Sequence, residues 1–339
     1  MKQFNFSAAR SGAVPGSPGK CEVLMFEEHK ANRPKSIFWK IPARIVRNRR
    51  TLRNMVFRLT SLLPRKFVMS WRHKLITGRF PNLKNPQRLT EKIQWYKLNY
   101  HDPLMTKCVD KYLVRDYVRE KGLAHILNEL YLVCDTVEEL DFDKLPNEFV
   151  LKTTNSSGTN IFCRDKTKLD IKHVKKQIGL FIKQGQFDIN GEWAYRGVKN
   201  RIIVERLRTD PSTKDGGLND YKFFCFDGKV VFFAVDTGRF SVHYRNYYNS
   251  KGEFLNVYSE YPSCRESMAD PPQNLSNMIS IAERLADGFP FVRVDLYNIS
   301  GEVMFGEMTF YPWGGEARFT PDSFDFEMGE KFVLPDVRK

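Results

Sequence analysis

The sequence predicts an α+β fold, and three stretches carry that prediction. Phe149 to Ile161 is an apolar run ending near Lys152, then small hydroxyl and amide residues, then a second apolar start; it reads as strand, tight loop, strand. Asp220 to Val235 holds two apolar runs around Asp227-Gly228, a dipeptide that favours a hairpin turn. Phe291 to Tyr297 and Val303 to Thr309, on either side of Asn298 to Gly301, form a further hairpin.

Taken in order, residues 1–34 mix Ser, Ala, Gly and Pro with little periodicity and read as a mobile tail. Residues 35–105 read as a basic helical N-terminal region and 106–339 as the main folded domain. From Ser36 to Leu75 apolar residues such as Ile41, Ile45, Leu52, Val56 and Leu59 recur at helical spacing among arginines, and Pro42 and Pro64 bracket one helix. Between His29 and Thr90 there is no Asp or Glu but there are seventeen Lys and Arg, in a chain of net charge +14. That asymmetry points to an anionic partner. The periodicity serves equally a helical subdomain packed on the main body and a helix lying on an anionic membrane surface, so both readings stand. Nucleic acid is disfavoured, because no recognised motif accompanies the charge.

Thr90 reads as the cap of a helix through Glu91 and Trp95. Val109 to Val118 reads as the start of an amphipathic helix with Lys111 near its beginning, ended by Lys121-Gly122. Leu130 to Val133 is a strand, Asp170 to Lys183 a helix, and Asp188 to Asn200 a loop. Ile202 to Glu205 is a short buried strand ending on an acid, and Leu275 to Leu285 is a helix.

The six cysteines lie far apart with no C-x-x-C pair, and the six histidines do not cluster near them, which argues against zinc. With no signal-peptide pattern and no apolar run near the ~18 residues of a membrane span, the expectation is a reducing, cytoplasmic setting with free thiols.

The chemistry-bearing residues sit at element ends. The loop after Lys152, with Thr153, Ser156, Ser157 and Gly158, can turn backbone N–H groups and hydroxyls towards a phosphate while the lysine supplies a point charge. Strand alternation puts Arg293, Asp295 and Tyr297 on one face, and Glu307 and Thr309 end the partner strand. Two acids on paired strands must either bind a cation or raise a pKa. For each acid the plain alternative is a structural ion pair.

In order, Lys111, Lys152, Glu205, Asp220, Lys222, Arg293, Asp295 and Glu307 resemble the ATP-grasp superfamily. The wording of Asn85-Pro86, Glu91 to Trp95, Asp110-Lys111, Leu145 to Lys152, Ile202 to Glu205, Asp220 to Phe223, Arg293 to Tyr297 and Gly306 to Phe310 is similar to its TupA-like (teichuronopeptide biosynthesis) branch. The resemblance implies two sheet-containing lobes clasping ATP. It makes Lys111 and Lys152 the phosphate lysines, Thr153 to Asn160 a flexible loop over the phosphates, and Val204 to Leu207 the adenine hinge. Glu205 and Asp220 would serve the adenine amine and ribose hydroxyls. Lys222 would lie near the γ-phosphate, and Asp295 and Glu307 would hold Mg²⁺. Thr309 stands where many ATP-grasp enzymes carry Asn, so a hydroxyl would replace an amide oxygen on the metal. Arg293 would meet charge developing on the acyl phosphate or tetrahedral intermediate.

The reaction implied is carboxylate–amine ligation, with a carboxylate-bearing glycan or a nucleotide- or lipid-linked sugar as acceptor and an amine as co-substrate, in capsular or cell-surface polysaccharide assembly. The location implied is cytoplasmic, peripheral at the inner face of the membrane. A phosphotransferase using the same ATP site, and a glycosyltransferase using the D-x-D spelling Asp141-Phe142-Asp143, stand as alternatives.

Overall fold

The computed structural model describes residues 63–156, 158–184, 191–213, 216–238, 242–263 and 271–337. The expected tail, the helix expected between Pro42 and Pro64, and Ser157 lie outside these residues. Among the described residues the strands form two antiparallel sheets. The smaller, in order β1-β4-β2-β3, uses β1 (Leu130–Cys134), β2 (Phe149–Thr153), β3 (Ile161–Cys163) and β4 (Ile202–Glu205). The larger, in order β10-β9-β5-β6-β7-β8, uses β5 (Asp220–Phe226), β6 (Lys229–Thr237), β7 (Tyr244–Asn249), β8 (Phe254–Leu255), β9 (Phe291–Ile299) and β10 (Glu302–Thr309).

Each sheet has its own core. A helix over Ile171–Gln184 lays Val174, Ile178 and Phe181 against Phe149, Leu151, Ile161, Ile202 and Val204 of the smaller sheet. The larger core joins β5, β6 and β9 to three helices: Leu89–Asn99, Leu275–Ala286 and Ser323–Lys331. It is aromatic, with Phe224 stacked at centroid distances of 4.3 Å on Phe232 and 5.1 Å on Trp313. On β5, alternation places Asp220, Lys222 and Phe224 on one face, so that face changes from charged to aromatic along the strand. The charged end looks into the space between the sheets.

The turns follow local chemistry. Asp227 and Gly228 both take positive φ (47° and 71°), the conformation of a two-residue turn whose twist suits the flanking strands. The second hairpin turns at Ser300 and Gly301 (φ 52° and 93°), later than the expected Asn298 to Gly301, because β9 continues to Ile299 and the Asn298 side chain instead accepts the Gly301 N–H at 2.9 Å. Gly306 is the extra residue of a bulge in β10. A Cβ there would lie 2.8 Å from the Asp295 carbonyl oxygen, so glycine alone fits, and the bulge leaves Glu307 opposite Asp295.

Two helix starts differ from the sequence reading. Thr90 is not the cap of the helix Leu89–Asn99. Arg88 holds that position, Glu91 accepts the Arg88 N–H at 3.3 Å, and Thr90 donates its N–H and hydroxyl to Asp325 at 2.9 and 2.7 Å. The buried Asp325 of the C-terminal helix outcompetes local capping for the Thr90 hydroxyl. The helix expected from Val109 instead begins at Val114, following a separate short helix Pro103–Val109. Asp110 breaks the two apart because its Oδ1 accepts the N–H groups of Tyr112 (2.7 Å) and Leu113 (3.0 Å). Lys111 therefore sits on a turn, where its N–H reaches the Thr154 carbonyl at 3.2 Å.

Candidate functional site

The two sheets face each other across a cleft of about 210 Å³. One wall comes from β2, β3 and β4 with Lys111; the other comes from β5, β9 and β10. Lys152 follows Val150 by two on β2, so both face the cleft, and Phe162 pairs with Val150 across the β2–β3 hairpin. Met304 and Phe305 line it from β10, Leu207 from the segment after β4. The cleft thus has an apolar section beside a strongly charged one.

On the smaller lobe the charges are interlocked. Lys152 Nζ lies 2.7 Å from Glu205 Oε2, and Arg115 Nη1 lies 3.1 Å from Glu205 Oε1. Arg115 also donates to the Asn128 carbonyl at 2.6 Å, and the Asn128 amide donates to the Arg206 carbonyl at 2.9 Å, fixing the strand that follows Glu205. Lys111 Nζ donates to the Ser156 carbonyl at 2.7 Å, which ties the Asp110 turn to the loop between β2 and β3. Burial pulls the Lys111 ammonium below the usual lysine range, and the nearby Lys152 adds to that, against the opposing pull of Glu307. Within the loop the hydroxyls of Thr153, Ser156 and Thr159 bond to one another; Thr153 lies beneath the cleft surface, whereas Ser156 and Gly158 line it. Gly158 has φ of +72° and open space where a Cβ would stand, leaving that backbone accessible to a ligand.

On the larger lobe Lys222, Asp295 and Glu307 stand side by side in register across β5, β9 and β10, and Arg293 pairs with Thr309 one step further. Lys222 Nζ lies 2.6 Å from Asp220 and 2.7 Å from Asp295. Arg293 grips Asp295 through Nε (2.6 Å) and Nη2 (2.8 Å), and the same Nη2 reaches Glu307 Oε1 at 3.0 Å and Thr309 Oγ1 at 3.2 Å. Burial disfavours charge on both Lys222 and Arg293, yet their carboxylate neighbours prevail and raise both above the usual range. For Glu307 burial likewise opposes ionisation, but Lys111, Arg293 and Lys222 outweigh it and hold the carboxyl below its ordinary value. Glu307 is thus kept ionised by protein cations, and the raised pKa offered by the sequence reading is not the outcome for it.

The structure therefore brings Lys111, Lys152, Ser156, Gly158, Glu205, Leu207, Asp220, Lys222, Asp295 and Glu307 onto one cleft, with Arg293 and Thr309 directly behind the acids. Asp141 and Asp143 lie elsewhere: Asp141 accepts the Asp143 N–H and pairs with Lys144 at the surface, while Phe142 enters the smaller core. Sequence reasoning missed Arg115, although it falls four residues after Lys111, and the buried pair Asp236–Arg245 (2.5 and 2.8 Å), whose Asp236 lies 4.0 Å from Lys222. Among the described residues Cys108, Cys134, Cys163 and Cys225 are buried, and no helix is long and apolar enough to cross a membrane.

Two antiparallel-sheet lobes closing on a cleft, with Lys111 and Lys152 on one wall facing Asp295 and Glu307 on the other, define an ATP-grasp fold. The family model described as TupA-like ATPgrasp matches residues 91–333, and the chain belongs to that family. A search of curated proteins gave no match. Similar solved structures include D-alanine–D-alanine ligase from Bacillus anthracis complexed with ATP (14% identity, 60% of this chain and 53% of that one, TM-score 0.34). An L-amino acid ligase from Bacillus licheniformis is also similar (15% identity, 68% of this chain and 53% of that one, TM-score 0.39). So is an ADP complex of N5-carboxyaminoimidazole ribonucleotide synthetase (15% identity, 64% of this chain and 49% of that one, TM-score 0.38). The matched part spans about half the length of each of these proteins.

Proposed function

We propose that this protein is an ATP-dependent carboxylate–amine ligase that forms an amide through an acyl phosphate, on a carboxylate-bearing glycan or a nucleotide- or lipid-linked sugar. The observation that carries this reading is the Arg293–Asp295–Glu307 cluster, joined to Lys222, facing Lys111 and Lys152 across one cleft. Lys111 and Lys152 would bind phosphates, and Val150, Phe162, Leu207 and Met304 would hold the adenine ring.

The residues present fit a magnesium ion. Mg²⁺ is usually held by one or two carboxylates plus phosphate oxygens, not by an all-protein cage. Among the described residues no group of three His, Cys, Asp or Glu side chains is arranged to hold a metal ion by itself, whereas Asp295 and Glu307 stand opposite each other with the Thr309 hydroxyl beside them. When bound, the metal supplies charge neutralisation at the phosphates.

In the proposed reaction a carboxylate oxygen of the acceptor bonds to the γ-phosphorus of ATP, and ADP leaves. The amine then attacks the acyl carbon, giving the amide, inorganic phosphate and a proton. Lys222 would stand beside the γ-phosphate, and Arg293 beside the oxyanion that develops at the acyl carbon, both held in place before any substrate arrives by their carboxylate partners. The glycan acceptor and the surface-polymer setting rest on the family resemblance.

The test is incubation with MgATP, a panel of uronic acids and sugar-linked carboxylates, and a panel of amines, read by mass spectrometry. One ADP and one phosphate per amide supports ligation; a phosphorylated product stable to amine indicates phosphotransfer, and sugar transfer without ATP consumption contradicts the reading. Because Arg293 also pairs both acids, Arg293→Lys is the informative variant: it keeps a charge but loses the fork, and turnover should fall by about 10²-fold.

A further inference from the structure

We propose that the outward face of the helix Arg65–Thr77 docks the protein on an anionic lipid surface. Met69, His73 and Thr77, spaced four apart, are the buried stripe of this helix. Phe67, Trp71 and Leu75, two positions earlier in each turn, therefore lie about 200° round the helix and point away from the body. They are 49%, 47% and 67% exposed, and Phe80, itself 50% exposed, packs edge-on against Trp71 at 5.1 Å. Scattered single apolar residues need no explanation, but an aligned aromatic stripe is a patch.

The helix cannot roll to hide this stripe. Met69 packs where a Cβ on Gly191 would come within 2.5 Å of its sulfur, and Arg72 holds Glu316 through two bonds of 2.9 Å. Arg79 and Arg88, just beyond the helix, pair with Asp322 at 2.9 and 2.7 Å. These arginines serve the body of the protein, whereas Lys66 and Lys84 are exposed before and after the stripe in sequence, and Lys74, which donates to the Gly78 carbonyl at 2.6 Å, lies 5.7 Å from the Phe80 ring.

The charge pattern selects the occupant. No Asp or Glu occurs from His29 to Thr90, so the stripe lies in an acid-free basic stretch. A second copy would present the same basic stretch and so a like-charge repulsion. Phosphate backbones of nucleic acid would satisfy the lysines and leave Phe67 and Leu75 in water. The core of a protein interface is depleted in lysine. A bilayer with anionic headgroups takes both, the rings and Leu75 at the acyl boundary and the ammonium groups among the phosphates.

The full chain is sedimented with phosphatidylcholine vesicles, alone or with about one third phosphatidylglycerol, at low and high salt. Binding at least about tenfold tighter to the anionic vesicles, weakened by salt, is expected. Replacing Phe67, Trp71 and Leu75 together by Ser should reduce it at least about tenfold, with the circular dichroism and melting transition retained. Since these side chains are exposed the fold should tolerate the change, and a second variant, Lys66→Gln with Lys74→Gln and Lys84→Gln, tests the charge independently. Equal binding to both vesicle types, no binding, or unaltered binding by the serine variant overturns the proposal, as does retention by an acidic protein or nucleic acid in place of anionic vesicles.

Discussion

Replacing Lys222 by Met tests whether the ion cluster of the larger sheet is held together by one ammonium group. Lys222 is buried, with 2.6 Å and 2.7 Å contacts to Asp220 and Asp295, and Asp236 lies 4.0 Å away. Methionine keeps the aliphatic stem and removes the charge between Asp220 and Asp295, while Arg293 still holds Asp295 and Arg245 still holds Asp236. Breaking a buried pair by deleting one partner costs about 3–5 kcal/mol. The assay is urea unfolding followed by tryptophan fluorescence, since Trp313 stacks on Phe224 two residues along β5. Adding Asp220→Asn removes one of the carboxylates that faced the lost ammonium and should recover about 1–2 kcal/mol, a coupling that a double-mutant cycle measures directly. Because Asp220 and Asp295 raise the Lys222 pKa against burial, this stabilisation is fully present below the ordinary lysine value of 10.5 and is lost only as pH rises through the raised value. A loss under about 1 kcal/mol, or no coupling between the two substitutions, would refute the reasoning.

The other predictions are more local. Asp236→Asn takes the close carboxylate from the buried Arg245, leaving it Glu260 at 3.5 Å, and should cost about 3 kcal/mol by urea unfolding. Asp236 is held well below 3.8 by Arg245, His243 and Lys222 despite its burial, so its contribution is present above that value and lost as pH falls through the depressed one; an acid titration should show this in the wild type and not in Asp236→Asn. Burial depresses Lys111, and an incoming phosphate should oppose that: calorimetry in two buffers of different ionisation enthalpy, repeated at rising alkaline pH, should show proton uptake on nucleotide binding that grows with pH and is absent in Lys111→Ala. Asp141→Ala with Asp143→Ala should leave turnover unchanged, because both lie off the cleft.

How much could be read beforehand differs between strands and turns. The hairpins were legible because Asp227-Gly228 and the alternation of Arg293, Asp295 and Tyr297 are local signals that the structure keeps. The placement of Lys111 was not, since the Asp110 side chain captures two backbone N–H groups and ends an otherwise periodic run. Thr90 misled for the converse reason: its partner, Asp325, is 235 residues away. The cleft acids were legible as a pair, but not the extent to which Arg293 and Lys222 already occupy them. Arg293 reaches Asp295 along its own strand and Glu307 across the ladder, and that second contact depends on the bulge at Gly306. Arg115 went unnoticed because its role, holding Glu205 and the Asn128 carbonyl, needs the β4 strand to pass beside its helix.

The claim that this cleft binds MgATP is tested most directly by calorimetric titration of MgATP into the wild type, Lys111→Ala and Lys152→Ala. Arg115 keeps Glu205 paired when Lys152 is removed, so that variant reports the nucleotide contact and not a stranded acid. Each substitution is predicted to weaken binding by about 2–3 kcal/mol, the size of a charge-assisted contact. Wild-type affinity in both variants, or no heat of binding in the wild type, would contradict the account.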